Sequence, residues 1–133
     1  MAEDDKNAIR ELLGTYCFRL DADRFEDMAA LFTEDGVWDT AFGKGTGRAG
    51  IVAQARGIAT GARPRRAHLT TNIVIELDGD RATVQSNWVV IQNTPNGPNI
   101  GSGGAYADRV VKRDGRWWFE YRKIDRYIAD GLS

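Results

Sequence analysis

The stretch His68-Leu69-Thr70-Thr71-Asn72-Ile73-Val74-Ile75-Glu76-Leu77 orders the rest of the chain. Its greasiest side chains fall on odd positions, a period of two, and β-branched residues dominate, so it reads as a strand with one apolar face. His68, Thr70 and Asn72 then share the opposite, polar face. His68 is the only histidine in the chain, and histidine is the side chain whose unperturbed pKa lies near neutrality. A cavity over that face would make His68 the natural proton carrier.

Downstream the same pattern repeats. Asp78-Gly79-Asp80 and Arg113-Asp114-Gly115 are hairpin signals, and Asn96-Gly97-Pro98-Asn99 marks a wider turn. They divide the C-terminal half into strands near 68–77, 82–94, 102–113 and 116–128, an antiparallel meander. Gly101, Gly103 and Gly104 precede no helix, so they mark a bulge or sharp bend in the sheet and not a phosphate cradle.

Upstream the period changes. Ile9, Leu12, Leu13, Tyr16, Cys17 and Leu20 recur at steps of three and four, the apolar stripe of a helix that starts after Asp4 or Asp5 and ends near Leu20. Asp21-Ala22-Asp23 is a tight corner. Asp23 and Glu26 have capping-box spacing for a short second helix that buries Phe25, Met28, Ala29 and Phe32. A strand over 37–42 follows Gly36, and Gly43, Gly45 and Gly47 break it before a third helix from about Arg48 to Ala59. Arg63-Pro64-Arg65-Arg66 reads as a solvated basic connector. Helices followed by a meander predict an α+β fold, one domain over 1–133.

The chain has 133 residues, 42% hydrophobic and 28% charged, with 18 basic and 19 acidic residues. That composition excludes intrinsic disorder, and the near balance of charge leaves no broad positive field for nucleic acid or an anionic membrane. A small molecule or a protein is the expected partner. Cys17, the only cysteine, lies on the apolar stripe of the first helix and reads as core. The polar start Met-Ala-Glu-Asp-Asp-Lys lacks a signal-peptide core and no later segment approaches a membrane span, so a cytoplasmic location is expected. One histidine and one cysteine without ligand spacing predict no metal site, and no nucleophile elbow or phosphate loop occurs.

Four segments carry a resemblance across almost the whole chain. They are Tyr16-Cys17-Phe18-Arg19-Leu20-Asp21-Ala22-Asp23-Arg24-Phe25, Leu31-Phe32-Thr33-Glu34-Asp35-Gly36, Arg66-Ala67-His68-Leu69-Thr70-Thr71-Asn72 and Asp114-Gly115-Arg116-Trp117-Trp118-Phe119. In these the chain resembles the SnoaL-like branch of the nuclear transport factor 2-like superfamily. The resemblance implies a cone-shaped barrel, a strongly bent antiparallel sheet wrapped around three N-terminal helices. Two enzymes of the superfamily, scytalone dehydratase and hexachlorocyclohexane dehydrochlorinase, pair an aspartate after the first helix with a histidine on the first long strand. Asp21 and His68 match those positions. Leu20 replaces the dehydratase's tyrosine and Gln92, or a near neighbour, its second histidine, while Tyr16 stands at the dehydrochlorinase's lysine.

The resemblance therefore implies a lyase or isomerase without a cofactor, acting on a small hydrophobic cyclic or polyketide-like molecule. Physically, a histidine that donates one ring nitrogen to a carboxylate is held in one tautomer, and its protonated form is stabilised by that charge. His68 is the candidate base and Asp21 its orienter. Tyr16, Trp38, Trp88 and Tyr106 are candidate walls of an apolar pocket. Asn72 is placed to orient a substrate oxygen, and Arg122 is an anion-binding candidate or a surface strand pairing. The competing expectation is a non-catalytic ligand-binding or assembly module like the small subunits of ring-hydroxylating dioxygenases. In that reading Trp88, Trp117 and Trp118 supply aromatic surface for a homodimer, or a higher homo-oligomer, through the outer sheet face.

Overall fold

The computed structural model describes residues 1–132. Helix α1 (Ala2–Asp21) starts a few residues earlier than its apolar stripe requires and buries Ile9, Leu12, Leu13, Tyr16 and Cys17. Glu3, Asp4 and Asp5 occupy its first turn, where carboxylates oppose the helix dipole. Asp5 also ties the helix to the sheet, accepting from Lys112 Nζ at 3.0 Å and Trp117 Nε1 at 3.1 Å. Those two bonds and the Lys112 charge hold the Asp5 carboxyl below its usual range.

Helix α2 is only Phe25–Ala29, and no side chain caps it. The expected capping box does not form. Asp23 adopts a left-handed backbone (φ 58°) and turns its carboxylate to Arg63 and Arg66 instead of the helix start. Phe32 lies beyond the helix and opens strand β1 (Phe32–Thr40). Gly36 falls inside that strand and not before it, at a close approach where a Cβ would press to 2.9 Å from that of Phe32. The next glycines make a short strand, β2 (Gly43–Thr46), before α3 (Gly47–Ile58).

Four long strands complete the chain: β3 (Arg66–Asp78), β4 (Arg81–Thr94), β5 (Gly97–Arg113) and β6 (Arg116–Ile128). The order β2-β1-β6-β5-β4-β3 departs from an all-antiparallel barrel in two ways. β1 lies parallel to β6, so the sheet is mixed. β2 and β3 remain edges, so the α+β cone does not close. α1 packs on β3 and β6 and α3 on β1 and β2, which places the three helices over one face of the sheet. At Gly104 a Cβ would collide with the Asp125 carbonyl, and the register shifts between Gly103 and Gly104, so the glycine-rich stretch is a bend, as expected.

Two bulges decide which residues face the helices. On β3, Thr71 pairs with Asn87 but Val74 with Gln85, one residue too many, and Asn72 takes the left-handed backbone (φ 54°) that asparagine tolerates. His68 and Thr70 therefore point inward together with Ile73, Ile75 and Leu77, while Leu69 and Val74 are exposed. Asn72 leaves the His68 face altogether. On β6, Phe119 pairs with Val110 but Tyr121 with Arg109, and Glu120 is the extra residue. Trp117 and Phe119 are buried before it, Arg122 after it.

Candidate active site

Asp21 ends α1 just where β3 passes. Its Oδ2 accepts the backbone N–H of His68 at 2.8 Å, and its Oδ1 lies 2.5 Å from His68 Nδ1. A carboxylate can only accept, so Nδ1 carries a proton, and in the neutral imidazole the free lone pair is therefore on Nε2. Both side chains are mostly buried, at 15% and 17% exposure. His68 borders a cavity; Asp21 sits behind the ring and does not. Beside them Cys17 Sγ meets Thr70 Oγ1 at 3.3 Å, and burial pushes the thiol pKa up, which fits a core residue better than a nucleophile.

The cavity measures about 170 Å³ and opens between the helices and the sheet's inner face. Aromatic side chains form one continuous wall. The His68 ring lies 6.3 Å from that of Trp88, Trp88 stacks on Tyr106 at 6.0 Å, and Tyr106 meets Tyr16 edge-on at 6.0 Å. Trp88 Nε1 donates to the Asp125 carbonyl at 3.1 Å, and Trp38 Nε1 to the Tyr16 hydroxyl at 2.9 Å. Both indoles are thus satisfied within the protein. Tyr16, having accepted, keeps its own proton to donate, and burial pushes its pKa and that of Tyr106 upward, so both phenols stay neutral. Leu20, Phe25, Val90 and Ile124 supply aliphatic and aromatic surface around them.

Of the residues expected at the site, His68, Tyr16, Trp38, Trp88 and Tyr106 converge on this cavity. Two do not. Asn72 is exposed at its bulge, donating to Asn87 Oδ1 at 3.0 Å. Arg122 is neither a surface pairing nor open to a ligand. It is wholly buried behind the tyrosines, 3.2 Å from Asp108, with its guanidinium 3.5 Å from the Tyr106 ring centre and 4.1 Å from that of Tyr16. Burial pushes the Asp108 carboxyl up to about 6, opposed by the Arg122 charge.

The expected outer aromatic surface is also absent. Trp88 lines the cavity, and Trp117 is buried with its N–H on Asp5. Trp118 alone of the three reaches the surface, between Arg48 and Arg116. The hydrophobic side chains exposed on the strands are mostly aliphatic, among them Leu69, Val74, Ile91 and Ile100, with Tyr127 the aromatic one.

Three arginines at the cavity, Arg63, Arg66 and Arg126, were not anticipated. The basic segment before β3 is no free connector: Arg63 and Arg66 both pair with Asp23. Their charges hold its carboxyl below the usual range. Arg66 had a visible signal, since it precedes His68 by two residues and so shares its strand face. Arg126 had none, because its facing depends on the bulge at Glu120.

A family model described as the SnoaL-like domain matches residues 2–123. A variant of a protein of unknown function from Mycobacterium tuberculosis is 34% identical, with a TM-score of 0.85 over 94% of this chain and 73% of that one. A protein of unknown function with a cystatin-like fold from Nostoc punctiforme is 26% identical, TM-score 0.82, over 96% and 93% of the two chains. A chain from Novosphingobium aromaticivorans named as the beta subunit of an aromatic-ring-hydroxylating dioxygenase shares the fold at 22% identity, TM-score 0.81, over 94% and 90%. No functionally curated protein matches the sequence.

Proposed function

Given that this chain belongs to the family of SnoaL-like domains, we propose that it is a cofactor-independent lyase or isomerase. Its substrate is a small, mostly apolar cyclic molecule. One observation carries this reading: the histidine that borders the apolar cavity is also the one held by a carboxylate from behind. The cavity volume is close to the roughly 150 Å³ of an apolar cavity that takes benzene, so one ring with substituents fits inside it.

In the proposed reaction His68 Nε2 removes a proton from a substrate carbon, and the imidazolium that forms is stabilised by Asp21 a single hydrogen bond away. Electron density moves toward a substrate oxygen or a departing group. The neutral Tyr16 hydroxyl offers that oxygen a hydrogen bond. The proton then returns to another atom of the substrate or leaves with the departing group.

Proton removal can be read before the natural substrate is known. Wild-type protein is incubated in heavy water with a panel of cyclic ketones and β-hydroxyketones, and deuterium uptake or elimination is followed by mass spectrometry. His68→Ala is expected to lose about two to four orders of magnitude of that rate with its folded spectrum unchanged. Full activity in His68→Ala contradicts the reading.

A second reading, a binding or assembly module, draws support from the aliphatic side chains exposed on the strands. It predicts a homodimer through the outer sheet face, which sedimentation equilibrium reports. Val74→Lys and Ile91→Lys together would dissociate such a dimer, and a monomeric wild type would contradict it.

A further inference from the structure

The walls of the cavity are apolar but its rim is not. Arg63, Arg66 and Arg126 all border it, whereas Asp23, which binds the first two, lies outside the lining. Asp23 spends one carboxylate on two guanidinium groups, each with five N–H donors. Arg126 has no acidic partner within ion-pair distance among the described residues; its guanidinium lies 5.6 Å from the centre of the Phe42 ring. Of the three guanidinium groups at the rim, Arg126 is thus the one without a carboxylate partner, and it faces a small apolar chamber.

We propose that this rim selects a substrate bearing one carboxylate, with its ring in the aromatic chamber and its carboxylate on Arg126 and the free N–H groups of Arg63 and Arg66. This deepens the catalytic reading and rests on it in that the cavity beside His68 is taken as the substrate site. A planar carboxylate matches the guanidinium fork, and Arg126 is the rim guanidinium left without a carboxylate of its own. A charged rim over a low-dielectric chamber also orients the molecule, since only one end can be desolvated without loss. The reactive carbon is thereby carried inward, toward the His68 edge of the wall.

Equilibrium binding separates this from catalysis. Titration calorimetry at low salt compares trans-cinnamate with its uncharged analogue cinnamamide on wild type, Arg126→Gln and His68→Gln, with phenyl phosphate as a further anion. Cinnamate is expected to bind wild type at least about tenfold more tightly than cinnamamide, the size of one charge-assisted hydrogen bond. Arg126→Gln should bring the two within about threefold, and His68→Gln should keep the preference. Equal affinities in wild type, no cinnamate binding, or a preference undiminished in Arg126→Gln would overturn the proposal. Phenyl phosphate binding tenfold tighter than cinnamate would overturn the carboxylate assignment. None of these outcomes alters the proton-exchange result for His68→Ala, so the two readings fail separately.

Discussion

A single carboxylate, Asp21, grips His68 twice, through its backbone N–H and through Nδ1. The first bond fixes the end of β3 against α1; the second fixes the ring. Position and tautomer of the candidate base are therefore set by one side chain that does not itself reach the cavity.

Asp21→Ala removes both bonds and leaves a partly buried N–H without its acceptor, so it should cost about 1–3 kcal/mol of stability. Asp21→Asn keeps an acceptor for the backbone N–H and should cost less, while still abolishing proton exchange because its amide supplies no negative charge for an imidazolium. Urea denaturation alongside the heavy-water assay checks both. Equal stability loss in the two variants would contradict the division of labour.

Asn72 holds the left-handed position that turns His68 inward along with Ile75. Asn72→Gly should be nearly neutral, and Asn72→Val should destabilise by about 1–3 kcal/mol, since a β-branched residue is strained there. Deleting Asn72 is more severe: straight alternation would force either His68 or Ile75 out of the interior. Denaturation midpoints of the three variants should fall in that order.

The pair Arg122 and Asp108 is wholly buried. Arg122→Met alone strands a buried carboxylate and should cost about 3–5 kcal/mol, whereas Arg122→Met with Asp108→Leu should recover most of that loss. A double variant no more stable than Arg122→Met would contradict the pairing.

Asp108 also predicts a pH dependence. Its folded pKa, pushed up to about 6, stands above its unfolded value near 3.8, so the folded state binds the proton more tightly in that window. Its contribution to stability is greatest below about 4 and declines as pH rises to about 6, then stays level. The difference in unfolding free energy between wild type and Asp108→Asn should follow that curve. A difference that grows across the window would contradict it.

Much of this was legible in the chain. The stripe of α1 and the hairpin turns follow from local periodicity and turn residues, and so do the aromatic walls at Tyr16, Trp38, Trp88 and Tyr106; straight alternation instead set His68 opposite Ile73 and Ile75, and the bulge at Asn72 brings all three to one face. What was not legible depends on single inserted residues and distant partners. A bulge changes side-chain facing without altering composition, which is why Asn72 left the His68 face and Arg122 and Arg126 turned inward after Glu120. The burial of Arg122 depends on Asp108 on the neighbouring strand, and the parallel pairing of β1 with β6 joins segments remote in sequence. Arg63 looked like solvated charge because its carboxylate, on Asp23, lies 40 residues earlier.

That His68 is the chain's only histidine makes its protonation state directly observable. Heteronuclear NMR of the imidazole nitrogens, recorded with the ring neutral, should show the proton on Nδ1 and a bare Nε2 in wild type, and a loss of that single tautomer in Asp21→Ala. A neutral His68 with its proton on Nε2, or a tautomer mixture indifferent to Asp21, would contradict a base oriented by that carboxylate.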